Sequence, residues 1–205
     1  MHTEILTKNQ LQLLPLLKDF SKDYILVGGT AIALYLGHRY SIDFDLFTSK
    51  VIQRKSIKNY LIKNRHNLNQ LIKEEADQIH FIINEVKITF FQYPFSINET
   101  VDFEGIIKIP TLINLAAMKV FALGGRGKWK DYVDIYFLLK NHFSLQDIIA
   151  RAEGLFGDVF NDKLFREQLT FFDDINYDEE VIYLDTPIDN DVIKKFLIDA
   201  ATEKF

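Results

Sequence analysis

The sequence predicts an α+β fold, with a strand-and-helix unit over residues 1–105 followed by a helical region over residues 106–205. Two observations carry that division. Before residue 105, short β-branched and aromatic runs alternate with helical stretches; beyond Pro110, every periodic stretch repeats at helical spacing. The composition supports a single packed body of 205 residues, 48% hydrophobic and 26% charged, with 18 phenylalanines to fill a core.

The elements follow in order. Residues 11–20 read as an amphipathic helix, kinked or interrupted at Pro15. Residues 24–27 form a short buried strand that Gly28-Gly29 ends, and residues 30–36 a helix that stops at Gly37. Residues 41–48 alternate as a second strand, placing Ile42, Phe44 and Leu46 in the core and Asp43 and Asp45 on the other face. A basic helix spans residues 52–65. Residues 78–84 and 86–93 form a hairpin about Asn84-Glu85, and residues 106–109 add a short strand. Helices are expected over 111–123, ended by Gly124-Gly125, and over 129–139. Further helices are expected over 144–155 with Ser144 as cap, over 165–172 and over 192–201.

Several classes fall away. Without cysteine there is no disulfide scaffold, zinc–cysteine site, iron–sulfur cluster or thiol catalysis. No run reaches the roughly 18 apolar residues of a membrane span, and no secretory leader is visible, so a soluble cytoplasmic protein with no membrane partner is expected. A net charge of −5 argues against non-specific coating of nucleic acid. The charge is segregated, however. Lys50, Arg54, Lys55, Lys58, Lys63, Arg65 and Lys73 form a basic flank, while the stretch beyond Asp173 is acidic. The five histidines show no metal-ligand spacing, and His80 reads as a core residue of an apolar strand.

Three features carry chemistry when taken together. Val27-Gly28-Gly29-Thr30 joins a strand to a helix, so the backbone can approach a ligand and the helix start can meet an anion, with the Thr30 hydroxyl adding a phosphate hydrogen bond. Asp43 and Asp45 share a strand face, where two repelling carboxylates suit Mg²⁺. Lys119 lies within an apolar helix, ahead of the glycine-rich connection with Arg126, Lys128 and Lys130 and of Asp131 and Asp134 on the next helix. A loop for phosphates, carboxylates for a metal and a remote lysine for pyrophosphate charge are what phosphoryl chemistry on a nucleoside triphosphate requires.

On Val27-Gly28-Gly29-Thr30-Ala31-Ile32-Ala33-Leu34, Leu36-Gly37-His38-Arg39, Ser41 to Phe47, Leu115 to Lys119 and Arg126 to Tyr136, the chain resembles the AbiEii/AbiGii-type toxin nucleotidyltransferases of the polymerase-β-like superfamily. The resemblance implies a minimal nucleotidyltransferase sheet followed by a helical half. Carried over by position, it implies Gly28, Gly29 and Thr30 as the phosphate loop and Asp43 and Asp45 as metal ligands. It also implies Lys119 as a triphosphate contact and Asp131 as the acid of the last motif. Arg39, Arg126 and Lys130 join the nucleotide-binding set, Arg39 alternatively fixing the strand that carries the two aspartates. The superfamily often carries a third carboxylate on a later strand, and this chain has Thr89 there.

The activity so implied transfers a nucleotide from an NTP, with Mg²⁺ or alternatively Mn²⁺, to an acceptor hydroxyl on RNA, tRNA included, or on a protein. The setting implied is a type IV-like toxin–antitoxin or phage-defence system with a cognate antitoxin. The basic helix is the candidate acceptor surface. Two other readings stand beside it: a weakened module that binds nucleotide or partner without transfer, and a partner protein whose acidic third docks a basic antitoxin.

Overall fold

The computed structural model describes residues 1–64, 68–125 and 127–203. Its centre is a mixed sheet of β1 (Ile25–Val27), β2 (Phe44–Thr48), β3 (Leu68–Glu74), β4 (Gln78–Ile83), β5 (Val86–Gln92), β6 (Thr100–Phe103) and β7 (Ile107–Pro110). The strand order is β3-β4-β5-β2-β1-β7-β6. The pairs β2–β5 and β1–β7 are parallel and the remaining pairs antiparallel.

The helices are α1 (Lys8–Phe20), α2 (Gly28–Leu36), α3 (Arg54–Lys63), α4 (Leu112–Leu123), α5 (Trp129–Asn141), α6 (Leu145–Phe156), α7 (Asp162–Gln168) and α8 (Asn190–Thr202). α1 begins ahead of the expected start because Thr7 and Gln10 form a reciprocal capping box, and its span continues through Pro15. Gly37, at φ +63°, ends α2 in the left-handed conformation. Ser144 caps α6 as expected. α7 starts and stops earlier than expected because the Asn161 side chain accepts the Leu164 N–H at 2.9 Å and so sets the helix start.

Burial alternates cleanly along β2 and β4, so the sheet has two unlike faces. One carries Leu26, Phe44, Leu46, Ile79, Phe81, Ile88 and Phe90, all buried. There Phe20 of α1 meets Phe90 and Tyr60 of α3 at centroid separations of 4.8 and 5.0 Å. The other face carries Asp45, Phe47, His80, Lys87, Thr89 and Phe91 and looks across a cleft toward α4 and α7.

The hairpin turn Asn84-Glu85 has φ of 49° and 64°, the primed geometry that matches strand twist. Two strands were not anticipated. β3 is an edge strand whose Leu71 and Ile72 are both exposed, so it lacks the period-2 signal. β6 is short and buries only Phe103. It turns into β7 through Glu104-Gly105, so the sheet continues past residue 105 to Pro110. Ile42, expected in the core, is 60% exposed because β2 begins only at Phe44.

Candidate functional site

The turn after β1 and the strand β2 build one corner. Gly28 has φ +75°, a conformation that L side chains rarely adopt, and a Cβ there would collide with Asp45 Oδ2. The turn backbone therefore lies directly against the Asp45 carboxylate, as the Val27–Asp45 register requires. Gly29 is constrained from the other side, where a Cβ would lie 2.6 Å from Arg39 Nη2.

Thr30 departs from the expected phosphate contact. Its side chain is buried, and its hydroxyl donates to the Asp43 carbonyl and lies 2.9 Å from Ser41 Oγ. It ties the start of α2 to the segment leading into β2. Gln10 makes a second tie that the sequence did not suggest: it is fully buried, and its Nε2 donates to the Ser41 carbonyl at 2.7 Å.

Asp43 and Asp45 are both half-buried. Burial, and then the neighbouring Asp45 carboxylate, push the Asp43 carboxyl above its ordinary value, with Lys130 and Lys87 acting in the opposite sense. A hard divalent cation would relieve that repulsion, so this oxygen pair fits one. Among the described residues no group of three or more His, Asp or Glu converges on a metal position. The rest of the shell would then come from water and phosphate oxygens.

The row of residues continuing from Asp45 across the sheet is polar. Val27 pairs with Asp45, Asp45 with Thr89, Thr89 with His80 and His80 with Lys73, so all five lie in register on the cleft face. Thr89 occupies the position in which a third carboxylate was sought, and its hydroxyl is 3.2 Å from His80 Nδ1. His80 is thus a half-buried cleft residue rather than a core one. The alternation of Gln78 and His80 with Ile79, Phe81 and Ile83 was the available signal.

Lys119 and Asp131 occupy a different setting from the one expected. Lys119 lines the cleft, and its Nζ is held at 2.6 Å by Asp131 Oδ1 and at 3.0 Å by Asp134 Oδ2. Asp134 also receives Arg39 Nε at 2.7 Å, Arg39 Nη2 at 2.8 Å and His38 Nε2 at 2.8 Å. All five side chains are buried. Burial alone would lower the Lys119 pKa, but the two carboxylates outweigh it and hold the ammonium above its ordinary value. Burial alone would raise the Asp134 carboxyl, yet Arg39, Lys119 and His38 hold it well below the carboxylate range. For His38 burial prevails and favours the neutral imidazole. The cluster joins the α2–β2 connection to α4 and α5, and Arg39 Nη1 also donates to the Tyr40 carbonyl at 2.9 Å. Asp131 sits inside this cluster, paired with Lys119.

Lys130 and Lys128 both form ion pairs with Glu179, on the acidic stretch. That stretch is strapped to the start of α5 and to the α2–β2 connection. Asn176 N donates to the Gly127 carbonyl at 2.7 Å, Trp129 N to the Asn176 carbonyl at 3.0 Å and Tyr40 N to the Ile182 carbonyl at 2.8 Å. Hydrogen bonds from the two lysines outweigh burial and lower Glu179 to about 2. Arg126 lies outside the described residues. Trp129 stacks on Tyr177 at 5.3 Å and anchors the junction. The basic flank is largely compensated: Lys58 and Arg54 pair with Glu74, Lys50 with Asp23 and Lys73 with Glu75. Its last arginine, Arg65, lies outside the described residues.

The cleft that Gly28 and Asp45 share has a volume of about 1010 Å³. Its lining also includes the aromatic side chains of Phe47, Phe91, Tyr93, Phe95, Phe121 and Phe160. No helix among the described residues is long and apolar enough to cross a membrane.

Comparison with known proteins places this geometry. Residues 16–104 match the family model described as nucleotidyl transferase AbiEii toxin, type IV TA system. An Aquifex aeolicus protein of unassigned function, aq_aa25, is 26% identical over 158 residues, covering 74% of this chain and 75% of its own. The crystal structure of JHP933 from Helicobacter pylori superposes with a TM-score of 0.58 at 20% identity, over 96% of this chain and 91% of that one. MenT4, a nucleotidyltransferase toxin of Mycobacterium tuberculosis, superposes with a TM-score of 0.61 at 11% identity, over 95% and 82%. The last two likenesses establish the fold. The glycine turn, the two aspartates and the strands that carry them lie inside the stretch that matches the nucleotidyl transferase AbiEii model.

Proposed function

We propose that this protein is the toxin of a type IV toxin–antitoxin pair and transfers a nucleoside monophosphate from an NTP to an acceptor hydroxyl on RNA, with tRNA as the first acceptor to test. The observation that carries the reading is the Gly28 backbone set against the Asp45 carboxylate at the wall of a cleft of about 1010 Å³. In this reading Asp43 and Asp45 hold Mg²⁺, with Mn²⁺ served by the same oxygen donors. The cation would supply charge neutralisation on the triphosphate when bound.

The chain's own residues do the rest. The Gly28-Gly29 turn gives phosphate oxygens access to backbone N–H groups at the start of α2. Thr30 and Gln10 keep Asp43 in position through the 41–43 segment. Lys130, which already acts electrostatically on Asp43, takes triphosphate charge together with Lys128 and Arg126. Lys119 and Asp131 act as positioning residues through the buried ion cluster. The aromatic side chains of the lining exclude water and receive the apolar part of the substrate.

The test is incubation with each α-labelled NTP, Mg²⁺ and total RNA. Labelled RNA from the wild type and none from Asp45→Ala is expected; transfer that survives Asp45→Ala would reject the site. Label on protein in place of RNA would redirect the acceptor assignment. Thr89 at the third-carboxylate position favours one alternative, a module that binds nucleotide without transferring it. Tight, metal-independent NTP binding with no turnover would select that alternative. Defence against phage belongs to the same proposal, and loss of protection in an Asp45→Ala strain would be its sign.

A further inference from the structure

Resting on the transfer reading, we propose that Thr89 and His80 form a two-residue proton relay that accepts the proton of the attacking hydroxyl. Three observations place it. Asp45, Thr89 and His80 are successive register partners on neighbouring strands, so their side chains share the cleft face in one line. All three line the cleft, and His80 is the one histidine that does so among the described residues. The hydrogen bonds assign the tautomer: His80 Nε2 is 2.7 Å from Gln78 Oε1, which can only accept, so Nε2 carries the proton. Nδ1 is then a lone pair facing the Thr89 hydroxyl at 3.2 Å, and Thr89 donates to it. The Thr89 oxygen keeps its own lone pairs for an incoming O–H beside Asp45.

The surroundings keep the imidazole in its basic, neutral form. Burial first and then Lys87 lower its pKa, Lys73 acts in the same sense, and Asp45 and Glu75 oppose them. From the helical side the cleft presents Asn161 and Gln168, both uncharged, and Lys119, whose charge is met by Asp131 and Asp134.

The step balances as follows. The acceptor oxygen forms a bond to the α-phosphorus as the bond from that phosphorus to the pyrophosphate oxygen breaks. The acceptor proton passes to Thr89 Oγ1, the Thr89 proton passes to His80 Nδ1, and the imidazolium returns one proton to solvent after pyrophosphate leaves. A neutral base placed this way contributes on the order of 10²–10⁴ in rate.

The experiment measures kcat and the NTP KM with α-labelled NTP, Mg²⁺ and total RNA for wild type, His80→Gln, Thr89→Val, Thr89→Ser and the His80→Gln/Thr89→Val double variant. The relay predicts a fall in kcat of at least about 100-fold for His80→Gln and for Thr89→Val, with KM within about twofold of wild type. The double variant should be no slower than either single one, and Thr89→Ser should recover most of the rate. A second readout needs no turnover: ¹⁵N NMR of the His80 ring should give the Nε2–H tautomer at pH 7. Imidazolium or Nδ1–H at that pH overturns the relay. If wild type transfers, Asp45→Ala does not, and His80→Gln keeps its kcat, the relay is wrong while the transfer reading stands. If wild type transfers to nothing, the transfer reading falls and the relay falls with it.

Discussion

Replacing Asp134 with asparagine tests how the site is held. The Asp134 carboxylate is fully buried and meets four donors, from Arg39 Nε and Nη2, His38 Nε2 and Lys119 Nζ. Asparagine keeps the shape, removes the charge and turns an NH₂ toward two cations. Breaking a buried ion pair from one side destabilises by about 3–5 kcal/mol, because the remaining charge is left without compensation. At about 2–4 °C per kcal/mol for a chain of this size, Tm should fall by roughly 6–20 °C. Calorimetric melting at pH 7 measures it, with Lys195→Ala as control: its exposed pair with Asp199 should be worth under about 1 kcal/mol.

The pH dependence has a definite sign. Asp134 is held below its unfolded value, so its contribution is fully present above about pH 4 and is lost as pH falls through the lower folded value. The gap between wild type and Asp134→Asn should therefore be flat from pH 8 to about 5 and should close in acid. A Tm change no larger than that of the Lys195 control would refute the reasoning. It would also mean that Lys119 is free to leave the cluster and reach substrate.

Three other variants separate roles within the site. Thr30→Val leaves the Asp43 carbonyl without its partner and should destabilise by about 1–3 kcal/mol in urea unfolding; unchanged stability with a raised NTP KM would instead make Thr30 a phosphate contact. Gly28→Ala should lose roughly 1–2 kcal/mol to the left-handed backbone. It should also lower transfer by about 100-fold, because Asp45 must move. Glu179→Gln removes the anion that holds Lys128 and Lys130. Two partly exposed pairs at about 0.2–1 kcal/mol each predict an NTP KM lower by roughly 2- to 30-fold. Since Glu179 titrates at about 2, its effect should be constant from pH 5 to 8; an unchanged or higher KM would contradict it.

What was legible in the sequence was what depends on neighbours along the chain. The Gly28 turn, the Gly37 stop, the Ser144 cap and the Asn84-Glu85 hairpin are local backbone problems with few solutions, and each occurs where the sequence puts it. The alternation of β2 put Asp45 on the face opposite Phe44 and Leu46, while its place against the turn comes from the pairing of Val27 with Asp45. Long-range pairings were hidden. Lys119 in an apolar helix signalled a buried partner but not whether it was substrate phosphate or Asp134, which lies on another helix. Thr30 fits a phosphate loop by type and spacing, and only the approach of the 41–43 segment diverts its hydroxyl to Asp43. The place of the acidic stretch was hidden because the pairing of Glu179 with Lys128 and Lys130 is a relation no local window contains. β3 escaped notice because an edge strand exposed on both faces has no hydrophobic period to read.

The central claim is that the glycine turn and the two aspartates form one metal-dependent nucleotide site. Calorimetric titration with a non-hydrolysable NTP analogue, with and without Mg²⁺, tests it most directly in the wild type and in Asp45→Asn. Saturable binding that requires Mg²⁺ and disappears in Asp45→Asn is the predicted result. Binding of equal strength without Mg²⁺, or undiminished in the variant, would contradict the account.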